Sequence, residues 1–136
     1  MSYKTHLFFV IILTFVKLFA IFYSNFDLFG DEAQYWIWSK ELDFGYYSKP
    51  PLIAWITGTF VYLFGDNFEV IKFIPFIFYF LTSYLIFLLS FELYKNKRLS
   101  IVAAASFYLL PSVSISSFIL STDAILLLFW SLSLLF

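Results

Sequence analysis

Three places in this chain carry side chains that can do chemistry: the acidic pair Asp31–Glu32, the turn Tyr46-Tyr47-Ser48-Lys49-Pro50-Pro51, and Asp123 behind Ser121-Thr122. Each sits at a break in otherwise apolar sequence. Residues 24–50 alone hold five of the nine acidic residues: Asp27, Asp31, Glu32, Glu41 and Asp43. Charge in hydrocarbon is costly, so the chemistry of such a chain belongs where water meets the bilayer. Lys49 precedes two prolines that fix an extended backbone and open the next helix at its first turn, where a missing N–H costs nothing. A lysine held beside the positive end of a helix suits an anionic phosphate at the bilayer surface; loose contact with lipid headgroups is the plainer alternative. Asp31 and Glu32, following Gly30, read as a solvated helix start when taken on composition alone. Asp123 follows two hydroxylated residues and reads either as an acid in a capped first turn or as a site residue.

The elements that must position these groups follow from composition. The chain is 62% apolar and 12% charged over 136 residues, against about 25% charged in a soluble domain. That predicts an all-α polytopic membrane protein. The 21 phenylalanines are read as lipid-facing filler rather than an aromatic cofactor box. A net charge of −1 excludes a nucleic-acid partner, which needs clustered Lys and Arg. With no cysteine, disulfides, zinc–thiolate sites and thiol catalysis are excluded.

Residues 7–23 form a first predicted span, and no small-residue cleavage site follows, so the helix is read as retained rather than as a signal peptide. Lys17 lies inside it, where insertion costs about 2.5–3.5 kcal/mol. It is expected to snorkel or to face the bundle interior, with a headgroup or substrate contact as the alternative. Residues 68–94 are a second span, interrupted by Pro75. Residues 99–120 are a third, with Pro111 as a kink and Ser112, Ser114, Ser116 and Ser117 suited to helix packing. Residues 124–136 open a fourth of only about two-thirds spanning length, so a piece of a longer single transmembrane domain is expected.

Residues 51–65 are short for a span, and Gly58 sits in their middle. The basic cluster Lys95-Asn96-Lys97-Arg98 decides their placement. If residues 51–65 do not cross, this cluster and the N-terminus share the cytoplasmic side. Residues 24–67 then form one extracytoplasmic loop with interfacial helices at about 31–42 and 51–65. Tyr35, Trp36 and Trp38 are favoured at headgroup depth, an explanation preferred here to sugar stacking. Asp31 and Asp123, 92 positions apart, are expected at the same membrane surface.

Gly30-Asp31-Glu32-Ala33-Gln34-Tyr35, then Tyr46-Tyr47-Ser48-Lys49-Pro50-Pro51-Leu52, then Ser121-Thr122-Asp123 opening a helix, together resemble the C-type glycosyltransferases. The nearest likeness is to the protein O-mannosyltransferase branch that includes the lipid A aminoarabinose transferases, over residues 7–136. The resemblance implies a multi-pass inner-membrane enzyme. It would move a sugar from a polyprenyl-phosphate-linked donor to an acceptor hydroxyl of a glycolipid, glycan or protein on the outer face, with inversion. It implies Asp31 as general base, with Lys49 on the donor phosphate. Asp123 would orient the acceptor, and Glu32 would stand beside Asp31 in substrate binding. The aminoarabinose branch carries a Glu linked with metal binding where this chain has Ser48, and His6 is the only histidine. No cofactor is identified, and a divalent metal, though possible, finds no support in these residues.

Two rival readings are kept. A secondary transporter or lipid-linked-sugar flippase would place charges near the midplane on interrupted helices; only Lys17 and Lys72 are candidates. A non-catalytic assembly subunit would tolerate neutral substitutions at both Asp31 and Asp123.

Overall fold

The computed structural model describes residues 3–23 and 27–136. The expected outer loop begins at residue 24, so its first three residues lie outside the described ones. Every element is helical: α1 Tyr3–Tyr23, α2 Gly30–Trp38, α3 Leu52–Phe64, α4 Phe68–Tyr94, α5 Lys97–Leu109, α6 Pro111–Ser116 and α7 Thr122–Leu135. Among the described residues two helices are long and apolar enough to cross a membrane, Lys4–Tyr23 and Phe68–Tyr94, while α3 and α7 are apolar but shorter.

Helix α4 is the hub. It packs on α5 and α7, and also on α3 and α1, while α1 lies chiefly along α5. Its most apolar stretch is 39% buried against 11% for that of α1, so α1 turns most of its apolar surface outward. Pro75 sits inside α4 and is itself buried. An interior proline loses one helical hydrogen bond, a defect that neighbouring helices make tolerable in a membrane.

The expected third span is corrected. Residues 99–120 are not one kinked helix: α5 ends at Leu109, Leu110 turns extended with ψ 132°, and α6 restarts with Pro111 in its first turn. The physical reason is that a residue before proline is pushed out of the helical region. The Ser117 hydroxyl then donates to the Ser114 carbonyl at 2.7 Å, and irregular chain leads into α7. The first interfacial helix is also shorter than expected, ending at Trp38 rather than about residue 42. The Ser39 hydroxyl donates to the Trp36 carbonyl at 2.6 Å and the Lys40 N–H to the Ile37 carbonyl, tightening the last turn. Helix α3 packs close beneath: a Cβ on Gly58 would meet the Ser39 carbonyl oxygen at 3.2 Å, so only glycine fits without movement.

Lys17 is in the bundle interior, 1% exposed. Its ammonium lies 4.1 Å from the centre of the Tyr108 ring, and its Nζ has no hydrogen-bond partner among the described residues. A cation over an aromatic face is partly compensated by the ring quadrupole. Thr14 and Tyr108 add a hydroxyl contact of 3.2 Å across the same α1–α5 seam.

Candidate active site

Glu32 organises the end of the bundle that holds the acidic residues. It is the third residue of α2 and is fully buried. One oxygen, Oε2, accepts the Phe29 N–H at 2.9 Å, the backward half of a capping box. The same oxygen pairs with the Lys72 ammonium, which is itself buried and lies 4.8 Å over the Phe29 ring. The other oxygen accepts the Leu120 N–H at 2.7 Å. The donors come from the entry to α2, from the second turn of α4 and from the chain just before α7. A buried carboxylate is tolerated only when paired and fully hydrogen-bonded, and Glu32 meets that condition. The reading of Asp31 and Glu32 as a solvated helix start is therefore corrected for Glu32, which points inward.

Asp31, one residue earlier and about 100° around the helix, is exposed, and so is Asp123 in the first turn of α7. Both act on one phenol. Tyr35 stands four residues after Asp31 on the same face of α2 and is 1% exposed. Its hydroxyl is held above the usual tyrosine value, first by burial and then by the negative fields of Asp31 and Asp123. Tyr79 of α4 also feels Asp123, and its hydroxyl lies within reach of the Ser116 and Ser121 side chains. The Glu32–Leu120 bond brings the starts of α2 and α7, and with them Asp31 and Asp123, to one end of the bundle. Such an arrangement offers two solvent-facing carboxylates that can accept protons or orient a hydroxyl, with the buried Tyr35 and Tyr79 behind them.

Lys49 stands apart. It is half-buried on the irregular chain before α3, and no bond among the described residues ties it to either acid. Two cavities flank the region. One, of about 690 Å³, opens between the C-terminal end of α1, the start of α4 and α6, lined by Ile21, Phe29, Phe68, Lys72, Ser114 and Phe118 among others. The second, of about 630 Å³, lies at the C-terminal end of α2. Neither is lined by Asp31, Lys49 or Asp123. No three His, Asp or Glu side chains among the described residues come together as a metal set.

Reading from sequence missed Lys72 as the partner of Glu32, and it missed the two phenols. Lys72 carried a signal, because a lysine near the end of an apolar span calls for a carboxylate. The phenols carried none, since tyrosines are spread through the chain and only packing selects Tyr35 and Tyr79.

Residues 48–136 match the model of the family described as dolichyl-phosphate-mannose-protein mannosyltransferase. That stretch takes in Lys49, helices α3 to α7 and Asp123, and it begins after Asp31 and Glu32. The chain is also 35% identical over 137 aligned positions to a lipid A galacturonosyltransferase, RgtD, of Rhizobium johnstonii, with 99% of this chain covered. It spans about 28% of that relative's length. No solved structure matches it. The chain belongs to the dolichyl-phosphate-mannose-protein mannosyltransferase family, within the C-type glycosyltransferases.

Proposed function

We propose that this chain is part of a multi-pass membrane glycosyltransferase that moves a sugar from a polyprenyl-phosphate-linked donor to an acceptor hydroxyl on the extracytoplasmic face. The observation that carries the reading is the Leu120 N–H bond to Glu32, which sets the start of α2, with Asp31, beside the start of α7, with Asp123. In this reading residues 1–136 belong to a single transmembrane domain with a cytoplasmic N-terminus and α2 and α3 at the outer interface. Lys95, Lys97 and Arg98 on the opposite side agree with that orientation.

The reaction assigns each group one task. The acceptor oxygen attacks the anomeric carbon from the face opposite the phosphate, and Asp31 takes the hydroxyl proton as the new bond forms. The bond from the anomeric carbon to the phosphate oxygen breaks, and the phosphate leaves with the electron pair, inverting the centre. A phosphate leaving group needs charge stabilisation rather than a proton, a task suited to Lys49. Asp123 accepts a hydrogen bond from the acceptor and orients it. Glu32, with both oxygens already engaged, acts as a positioning residue and not as a substrate ligand. The acceptor is a glycolipid or other glycan.

Transport requires ionisable groups left available inside the membrane. Of the two intramembrane lysines, Lys72 is already committed to Glu32, which weakens that alternative. The test is transfer by the full-length protein in a bilayer with a polyprenyl-phosphate sugar. Asp31→Asn is expected to lower turnover by about 10²–10⁴-fold, the usual contribution of a general base. Near-normal turnover by a folded Asp31→Asn protein would remove Asp31 from the role.

A further inference from the structure

The Trp36-Ile37-Trp38 run and the turn after it are not used by the proposed chemistry. They enclose the cavity of about 630 Å³ at the end of α2, lined by Trp36, Trp38, Lys40, Glu41, Asp43 and Tyr46 with Ile37 and Leu42. That size is in the range of small-molecule sites. Its walls are fixed from outside the segment. The Trp36 indole donates to Asp66 at 2.6 Å, and Lys40 pairs with the same carboxylate while lying 4.8 Å over the Trp36 ring. Trp38 stacks on Tyr46 with ring centres 4.6 Å apart. The Tyr46 hydroxyl accepts the Asp43 N–H at 3.0 Å and lies 3.1 Å from the Trp38 carbonyl and 3.0 Å from that of Glu41. The Trp55 indole on α3 donates to the Asp43 carbonyl at 2.9 Å. These rings are held before any ligand arrives, which reduces the ordering cost of binding.

In place of the headgroup-depth reading of Trp36 and Trp38, we propose that this cleft is a saccharide subsite, holding a sugar of the acceptor glycan away from the hydroxyl that reacts. Aromatic faces bury the C–H surface of a sugar ring, and the Glu41 and Asp43 carboxylates accept its hydroxyl donors. Charge selects a neutral polyhydroxylated ligand over an anionic headgroup, because Lys40, the one cation in the lining, is already neutralised by Asp66. Distance fits as well. From Asp31 to Trp38 the helix rises about 10 Å, roughly two sugar rings. This inference rests on the glycosyltransferase reading.

The experiment uses the full-length protein in nanodiscs with synthetic glycolipid acceptors carrying one sugar or three. The three-sugar acceptor is expected to have the lower KM. Trp38→Ala and Glu41→Ala are expected to raise that KM about tenfold, or about 1.4 kcal/mol, and to shrink the advantage of three sugars over one. Glu41 is exposed, so its variant keeps the test valid if the Trp38 variant does not fold. An unchanged advantage in both folded variants overturns the subsite. In parallel, the Asp31→Asn protein is titrated with the free trisaccharide while tryptophan emission is followed. An emission shift that Trp38→Ala removes supports the cleft even if no acceptor is ever glycosylated, an outcome that would count against the transferase reading alone. Emission untouched by trisaccharide but quenched at Trp38 by brominated phospholipid makes the cleft a bilayer contact and overturns the proposal.

Discussion

At Tyr35 the influence of the two exposed acids can be separated. Its hydroxyl is raised by burial and by both Asp31 and Asp123. Asp31→Asn and Asp123→Asn should therefore each lower the Tyr35 pKa, and the double variant should lower it further, toward the value set by burial. Titration of a ¹³Cζ-labelled tyrosine by NMR checks this, and a Tyr35 pKa that ignores either substitution would separate the two carboxylates in space. A second residue-scale consequence concerns Asp66. Hydrogen bonds from Lys40 and then Trp36 hold its carboxyl below the usual carboxylate range. A lowered folded-state pKa favours the charged form. The clamp on Trp36 should thus be complete above about pH 4 and be lost only as the pH falls through the folded value. Trp36 emission, isolated by replacing the other three tryptophans with phenylalanine, should stay flat from pH 8 to about 4 and change below it.

At the scale of elements, the Glu32–Lys72 pair joins α2 to α4, and the Leu120 N–H extends the join to the start of α7. Removing one member of a buried pair strands the other, typically at about 3–5 kcal/mol. Lys72→Met alone should therefore destabilise by about 3 kcal/mol, whereas Glu32→Gln with Lys72→Met should cost clearly less than the sum of the single changes. A double-mutant cycle in thermal unfolding in detergent measures this; strict additivity would mean that the pair carries no coupling. Helix placement was largely legible in sequence. The apolar lengths of α1 and α4, and the Pro50-Pro51 and Gly65 punctuation around α3, gave bounds within a few residues of those observed. The break before Pro111 was half legible: the proline was seen, but its effect on Leu110 was read as a bend instead of an interruption. The early end of α2 was not legible, because the residues after Trp38 carry no proline or glycine before Gly45 to mark a stop. The inward turn of Glu32 was not legible either. Beyond the Phe29 N–H, its partners are 40 and 88 positions away, outside any local pattern.

For the whole molecule, charge asymmetry and helix packing lead to one arrangement. The acids of α2 and α7 gather at one end, while Lys95 after α4 and Lys97 and Arg98 at the start of α5 lie at the other. The chain contains no cysteine, so single cysteines can be introduced without background. Cysteines at positions 31, 66 and 123 should react with an impermeant maleimide added outside intact cells, and one at position 97 should react only after permeabilisation. Labelling of 31 and 123 from opposite sides would undo the shared mouth and the chemistry proposed for it.

The Glu32–Leu120 bond also sets an order of events during synthesis. Glu32 leaves the ribosome 88 residues before the amide it needs. At about 5–20 residues per second, that is a wait of about 4 to 18 seconds. Through that interval the carboxylate has to stay hydrated or shelter against Lys72 alone. This end of the bundle can close only when the chain just ahead of α7 has emerged, so nascent chains halted before that point would carry every residue of α2 and still lack the join to Leu120.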